Sequence, residues 1–268
     1  MAEVTILGAR GFVGSRLRAA FEAEGADVYA PAKGDPAMFE RDLGAVYYCA
    51  GLTADYAVRP FDTVEAHATL VAALARSGRF SRLIYTSSTR LYDTSSAALM
   101  AENQPLIFRP DQPRQIYDLS KALGENITLT QMGGKGGVAR LSNVFDWQDD
   151  SPGFLSEWLI AARSQKTIAL ESSPHIARDY IHVDDVVRAL RAMIDAPEPG
   201  IVNVASGELV DNGAIARTFE LAGYGITFSG SGNPPPVPCA DVAKLRALGV
   251  DPRPVRAVIA EYLASRDH

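Results

Sequence analysis

The turn Gly8-Ala9-Arg10-Gly11-Phe12-Val13-Gly14 constrains this chain more than any other feature. The apolar run Val4-Thr5-Ile6-Leu7 enters it and the helix-patterned Ser15-Arg16-Leu17-Arg18-Ala19-Ala20-Phe21 leaves it. Glycines let the backbone turn sharply, bring a pyrophosphate against main-chain N–H groups at the helix N-terminus, and allow close packing of helix on strand. The spacing is G-x-x-G-x-x-G, and the strand before and helix after supply the context that a glycine match alone lacks. The loop residues Gly8, Arg10, Gly11, Phe12, Val13 and Gly14 are therefore candidate dinucleotide contacts.

Alternation continues downstream, with an amphipathic segment from Thr63 to Ser77, a strand from Arg82 to Thr86, a helix around Gln115 to Met132 and a strand from Val138 to Leu141. Strands alternating with helices predict an α/β fold, a doubly wound parallel sheet. Gly133-Gly134-Lys135-Gly136-Gly137 precedes its strand, so it reads as a helix-to-strand turn at the end remote from ligands.

Tyr117 and Lys121, in Y-D-L-S-K, lie four residues apart on one helix face, which places an ammonium beside a phenol. A neighbouring positive charge favours phenolate, so the pair is a candidate general acid/base. Upstream, Leu83-Ile84-Tyr85-Thr86-Ser87-Ser88-Thr89-Arg90 is a buried-strand pattern running into hydroxyl residues. Ligands of a parallel sheet gather at the carboxyl ends of its strands, which puts Ser88 at the site.

Together the glycine turn, Ser88 and the Tyr117/Lys121 pair resemble the short-chain dehydrogenase/reductase superfamily, in its extended branch of nucleotide-sugar epimerases, dehydratases and reductases. The resemblance runs almost the whole length. Val46-Tyr47-Tyr48-Cys49-Ala50-Gly51 looks like the strand whose end lies along the cofactor, implying contacts from Cys49, Ala50 and Gly51. Arg140-Leu141-Ser142-Asn143 looks like the branch's R-x-x-N segment and makes Asn143 a substrate candidate. Arg178-Asp179-Tyr180-Ile181-His182-Val183-Asp184-Asp185 is similar to an epimerase signature in which the arginine reaches the substrate's diphosphate. Asp241 to Gly249 resembles the branch's final D-x-x-K helix.

What the resemblance implies is a Rossmann-type dinucleotide domain over residues 1–145 and a small C-terminal substrate lobe over 146–268, with about 175–205 returning to the main domain. It implies hydride transfer at a ring carbon of a nucleotide-diphosphate sugar, with Tyr117 moving the hydroxyl proton. Lys121 would lower the phenol's pKa and bind the nicotinamide ribose, and Ser88 would hold the reacting oxygen. The expected activity is a 4-keto-sugar reductase, with a 4-epimerase as the alternative; a non-catalytic dinucleotide sensor is the alternative of another class. Dehydratases of the branch carry Thr-Asp-Glu where this chain has Ser88-Thr89-Arg90, which argues against water elimination and leaves Thr89 and Arg90 as substrate contacts.

The second strand bears on the cofactor. Asp27-Val28-Tyr29-Ala30-Pro31-Ala32-Lys33 offers no acid for the adenosine ribose hydroxyls, whereas Lys33 and Arg10 supply cations. NADP is expected, with NAD as the alternative. Between Lys33 and Val46 there is too little chain for a further strand and a full crossover helix, so the adenine side is expected to be trimmed.

A net charge of −6 gives no general attraction to nucleic acid or anionic membrane. No apolar stretch is long enough for a bilayer and no leader is evident, so a cytoplasmic location is expected, with a homodimer possible. Cys49 and Cys239 form no disulfide framework, and no metal site is evident. His67 and His182 read as hydrogen-bonded packing residues, and Asp184 and Asp185 as partners of a helix N-terminus.

Overall fold

In the computed structural model, which describes residues 4–53, 55–198, 200–233, 235 and 237–265, one parallel sheet organises the chain. Its strands are β1 (Val4–Leu7), β2 (Val28–Tyr29), β3 (Ala45–Tyr48), β4 (Arg82–Ser88), β5 (Gly136–Leu141) and β6 (Ile201–Val204), in the spatial order β6-β5-β4-β3-β1-β2. Every neighbouring pair is parallel. Because side chains alternate along a strand, successive residues go to opposite layers. Ile6, Tyr47, Ile84 and Ala139 pack under helices α1 (Phe12–Ala23) and α4 (Val183–Asp195). Leu7, Val46, Tyr48, Leu83, Tyr85 and Val138 face the other layer with Val71 and Leu74. Both faces are covered, which explains strands that read as apolar runs.

The second layer is made by α2 (residues 60–77) and α3 (Gln115–Gln131). Within α2, Pro60–Val64 and Leu70–Ser77 are α-helical, and Glu65–Thr69 between them forms a π turn. A π turn disturbs the regular helical ladder, and two sheet tyrosines meet its carbonyls: the Tyr85 hydroxyl donates to the His67 carbonyl at 3.0 Å, and the Tyr48 hydroxyl donates to that of Ala66. Helix α3 crosses so closely that a Cβ at Gly124 would lie 2.3 Å from the His67 carbonyl oxygen. Gly124 is seven residues after Tyr117 and three after Lys121, so this contact seats the face carrying both.

On the adenine side, β2 is the sheet's edge among the described residues, and only a short 3₁₀ turn, Pro36–Phe39, separates it from β3. The trimming expected from chain length is present. Strand β4 runs past the expected end at Thr86, because Ser87 and Ser88 still pair with Arg140 and Leu141. At the opposite end of the sheet, Gly133 and Gly134 close α3 and Gly136 already belongs to β5.

Beyond β5 the strands Asn143–Phe145, Ala177–His182 and Leu209–Asp211 form a smaller sheet, and Thr167–Leu170 pairs with Gly225–Phe228. Phe145, Trp158, Phe219 and Ile259 build a second core there. Arg16 of α1 ties the two regions together through Asp146 at 2.9 Å and Asp150 at 2.6 Å.

Candidate active site

Gly8 leaves β1 with φ of 81°, and a Cβ there would lie 2.6 Å from the Ala50 nitrogen and 2.7 Å from the Cys49 carbonyl. A Cβ at Gly14 would in turn lie 2.3 Å from the Gly8 carbonyl oxygen. The turn is thus pressed against the end of β3, and only hydrogen fits at either position. This puts Gly8, Cys49 and Ala50 together, with Gly11 at the N-terminus of α1. Phe12 and Val13 are half-buried and Arg10 is exposed. Such a helix end offers unpaired N–H groups to a phosphate. The Cys49 thiol is pushed up to about 12 by burial, which makes it an inert packing group.

Lys121 continues the row. A Cβ at Gly51 would lie 3.4 Å from the Lys121 ammonium and 3.0 Å from His67 Nε2. The ammonium donates to the Thr86 carbonyl at 2.8 Å and lies 4.9 Å from the centre of the Tyr85 ring. Burial lowers its pKa to about 8, against the pull of Glu125 four residues on.

Tyr117 is buried in the first turn of α3, and its phenol pKa is raised. Desolvation is the main cause; the Ser88 hydroxyl, the Arg90 charge and the Thr53 hydroxyl act in the opposite direction. The structure therefore brings Ser88 and Tyr117 together. The nearby cation that favours its ionisation is Arg90, while Lys121 points its ammonium at the β4 backbone. Helical spacing puts the lysine and tyrosine on one face, and the short carbonyl bond then decides where the ammonium goes.

His67 fills the space behind this pair, with its ring 5.3 Å from that of Tyr117 in edge contact. Its Nδ1 lies 2.9 Å from the Ser120 hydroxyl, which donates to the Tyr117 carbonyl, and its Nε2 accepts from the Leu52 N–H at 3.3 Å. An Nε2 that accepts leaves the proton on Nδ1, so the ring is neutral. Burial, helped by the Lys121 charge, lowers its pKa to about 2. In an NMR titration the His67 ring resonances are expected to stay at their neutral-imidazole positions from pH 8 to pH 5. A midpoint inside that window would contradict the neutral state of the buried ring.

Sequence reasoning missed Thr53 and Tyr56, which sit in an aperiodic loop with nothing to mark them; the rings of Tyr56 and Tyr117 are 5.4 Å apart. It also treated Arg140 only as part of a segment match. In the structure Arg140 is 3% exposed and forms a two-pronged pair with Glu125 of α3, at 2.9 and 2.6 Å, while donating to the Tyr92 hydroxyl at 2.7 Å. Tyr92 donates to Asn203 Oδ1, whose backbone N–H donates to Glu102. An arginine in a strand pattern was the available signal, since a buried strand tolerates one only when it is paired.

The remaining candidates are less tightly gathered. Thr89 donates a long 3.4 Å bond to the Leu141 carbonyl. Asn143 donates to the Asp179 carbonyl at 2.9 Å. Arg178, on the smaller sheet, is exposed and has no ion pair among the described residues; its neighbour Asp179 instead accepts from the Ser206 N–H and hydroxyl and from the Gly207 N–H. Lys33 is paired with Asp62 at 3.1 Å, and Arg10 makes no such pair among the described residues. At the start of α4 it is His182 that caps, accepting from the Asp184 N–H at 3.3 Å, whereas Asp185 binds Arg188 and Arg253. Among the described residues no cluster of His, Cys, Asp and Glu is placed to hold a metal, and no helix is long and apolar enough to cross a membrane.

A dinucleotide-type sheet with a glycine turn, and a serine, tyrosine and lysine converging at the next strand ends, define an enzyme of the short-chain dehydrogenase/reductase type. The chain belongs to the NAD dependent epimerase/dehydratase family, whose profile matches residues 4–205. Solved structures share the fold. One is MoeE5 in complex with UDP-glucose and NAD, 21% identical over 98% of this chain and 97% of that chain, with a TM-score of 0.78. A second is TunA, an NAD dependent NDP-hexosamine 5,6-dehydratase of tunicamycin biosynthesis, 20% identical over 100% and 99%, TM-score 0.76. A third is the UDP-N-acetylglucosamine 4-epimerase of Methanobrevibacter ruminantium M1, 17% identical over 98% and 97%, TM-score 0.77. No curated protein sequence matches.

Proposed function

We propose that the protein interconverts an alcohol and a ketone at a ring carbon, C4, of a nucleotide-diphosphate sugar, acting as a 4-keto-sugar reductase. The observation that carries the reading is the continuous row from Gly8 through Cys49, Ala50, Gly51 and Lys121 to Tyr117 and Ser88. A nicotinamide dinucleotide lying along it brings its hydride to a sugar held at the far end; the cofactor supplies the hydride chemistry. The fit to such a cofactor rests on the two glycines pressed against β3 and the open N-terminus of α1. Tyr117 gives the proton to the reduced oxygen, Ser88 holds that oxygen, and Lys121 keeps a positive charge beneath the ribose. Arg178, which makes no ion pair among the described residues, takes the substrate's diphosphate. The cofactor reading is supported by the NAD bound in structural neighbours, and the sugar reading by their UDP-sugars.

A 4-epimerase is the second reading, favoured by the exposed Arg178 in its epimerase-like context. Thr89 and Arg90 in the places of the dehydratase Asp and Glu argue against elimination. The assay that decides is incubation of 4-keto NDP-sugars with NADPH or NADH, and of the parent NDP-sugars with NADP or NAD. A reductase consumes reduced cofactor stoichiometrically with product, whereas an epimerase scrambles C4 without net consumption; neither activity leaves only the cofactor-sensing reading. The exposed apolar residues Phe61 on α2 and Leu119 and Leu123 on α3 support a homodimer through these neighbouring helices.

Within this reading the cofactor is NADP. Arg10 is exposed beside the glycine turn, and the Lys33–Asp62 pair is exposed and screened by solvent, so a 2′-phosphate can recruit the lysine. The parent protein is expected to bind NADP more tightly than NAD, and Arg10→Ala with Lys33→Ala to remove that preference. Calorimetric Kd values test this, and a parent that prefers NAD ends the NADP assignment.

A further inference from the structure

Arg90 stands directly beyond the catalytic serine, its backbone N–H donating to Ser88 Oγ at 3.2 Å in the short turn Thr89–Tyr92. The guanidinium carbon lies 4.8 Å from the centre of the Tyr117 ring and 5.3 Å from that of Tyr56. It is half-buried, and among the described residues it has no carboxylate partner. The nearby acids make no ion pair with it: Asp93 pairs with Arg114 at 2.6 Å, and Asp118, whose Oδ2 accepts from Gln115 at 2.9 Å, feels the Arg90 charge without a salt bridge to it. This contrasts with Arg16, Arg140 and Arg253, each of which meets a carboxylate.

A guanidinium stacked on aromatic rings keeps its in-plane N–H groups available, and those groups match the two oxygens of a carboxylate. Partly burying an unpaired cation costs free energy that ring stacking alone does not require. The charge sits next to the phenol that touches the reacting oxygen. A group on the neighbouring ring carbon is therefore the part of a substrate that comes within its reach.

We propose that Arg90 is a specificity-determining residue that binds a carboxylate carried on the carbon beside the one oxidised or reduced, making the substrate class nucleotide-linked uronic acids rather than neutral hexoses. The inference rests on the nucleotide-sugar reading above. It assigns Arg90 a binding role in addition to its charge beside the Tyr117 phenol, an effect that acts on both sugars alike and cancels in a uronate-to-hexose ratio.

The test uses matched pairs that differ only in CH₂OH against COO⁻ on the sugar, linked to UDP, dTDP, GDP and ADP. The readout is the ratio of kcat/KM for uronate over hexose in the parent protein, in Arg90→Gln and in Arg90→Lys. The same ratio of Kd values is measured calorimetrically in Tyr117→Phe with and without Arg90→Gln. A charge-assisted, two-pronged contact predicts that the parent favours the uronate by about ten- to a hundredfold. Arg90→Gln should bring both ratios close to one, and Arg90→Lys should retain part of the preference. Turnover of hexoses with no uronate preference, or an equal fall for both sugars in Arg90→Gln, overturns the inference and leaves the reaction class standing. If no sugar nucleotide of any pair binds or reacts, the nucleotide-sugar reading fails and the inference with it.

Discussion

Tyr117→Phe is expected to lower turnover at least about a hundredfold while leaving the cofactor Kd and the thermal midpoint close to those of the parent. The size follows from what general acid–base catalysis contributes, roughly a hundred- to ten-thousandfold. The selectivity follows from the packing. The ring touches Tyr56, His67 and the Arg90 guanidinium, and all three contacts survive in phenylalanine. Only the hydroxyl near Ser88 and Thr53 is lost. Steady-state rates combined with cofactor titration give the answer. Activity within about tenfold of the parent would show that another group moves the proton.

Arg140→Met is the second large effect, and it falls on the scaffold. Removing the guanidinium leaves Glu125, 5% exposed in its side chain, without its ion-pair partner, and takes a donor from the Tyr92 hydroxyl. Breaking a buried pair from one side typically costs about 3–5 kcal/mol, since the surviving charge has neither partner nor water. Replacing both members with apolar residues is expected to cost much less than the single change. Denaturant unfolding of Arg140→Met, Glu125→Leu and the double variant measures this. Additive losses would show that the two side chains act independently rather than as a pair. Because Glu125 is one turn beyond Lys121, the single variants should also disturb the ammonium that Glu125 helps to keep charged.

Much of the sheet and the catalytic face could be read from residues alone, for reasons that differ between elements. The glycine turn was legible because its conformation excludes other residues: Gly8 and Gly14 leave no room for a Cβ. Strands β1 and β4 were legible because burial on both faces makes them apolar throughout. Tyr117 and Lys121 could be placed on one face by helical geometry. What the ammonium touches could not, because that depends on the Thr86 carbonyl of a strand 35 residues earlier in the chain. The partners of Arg90 were equally hidden. Its ring contacts come from α3 and from Tyr56 in a loop that carries no periodic signal. The π turn in α2 was invisible for a related reason: its carbonyl partners are hydroxyls on two different strands, and helix propensity says nothing about them.

The short edge strand β2 has a consequence for how this molecule meets its neighbours in a crowded solution. An open sheet invites a foreign strand to add itself wherever a row of free N–H and C=O groups is on offer. Here the strand at this edge is two residues long and Pro31 follows one residue beyond its end, so an incoming chain finds almost no ladder to extend. The trimming that shortens the cofactor domain on this side thus also leaves it a poor template for edge-to-edge association, a safeguard that a longer and flatter border would have to obtain by other means.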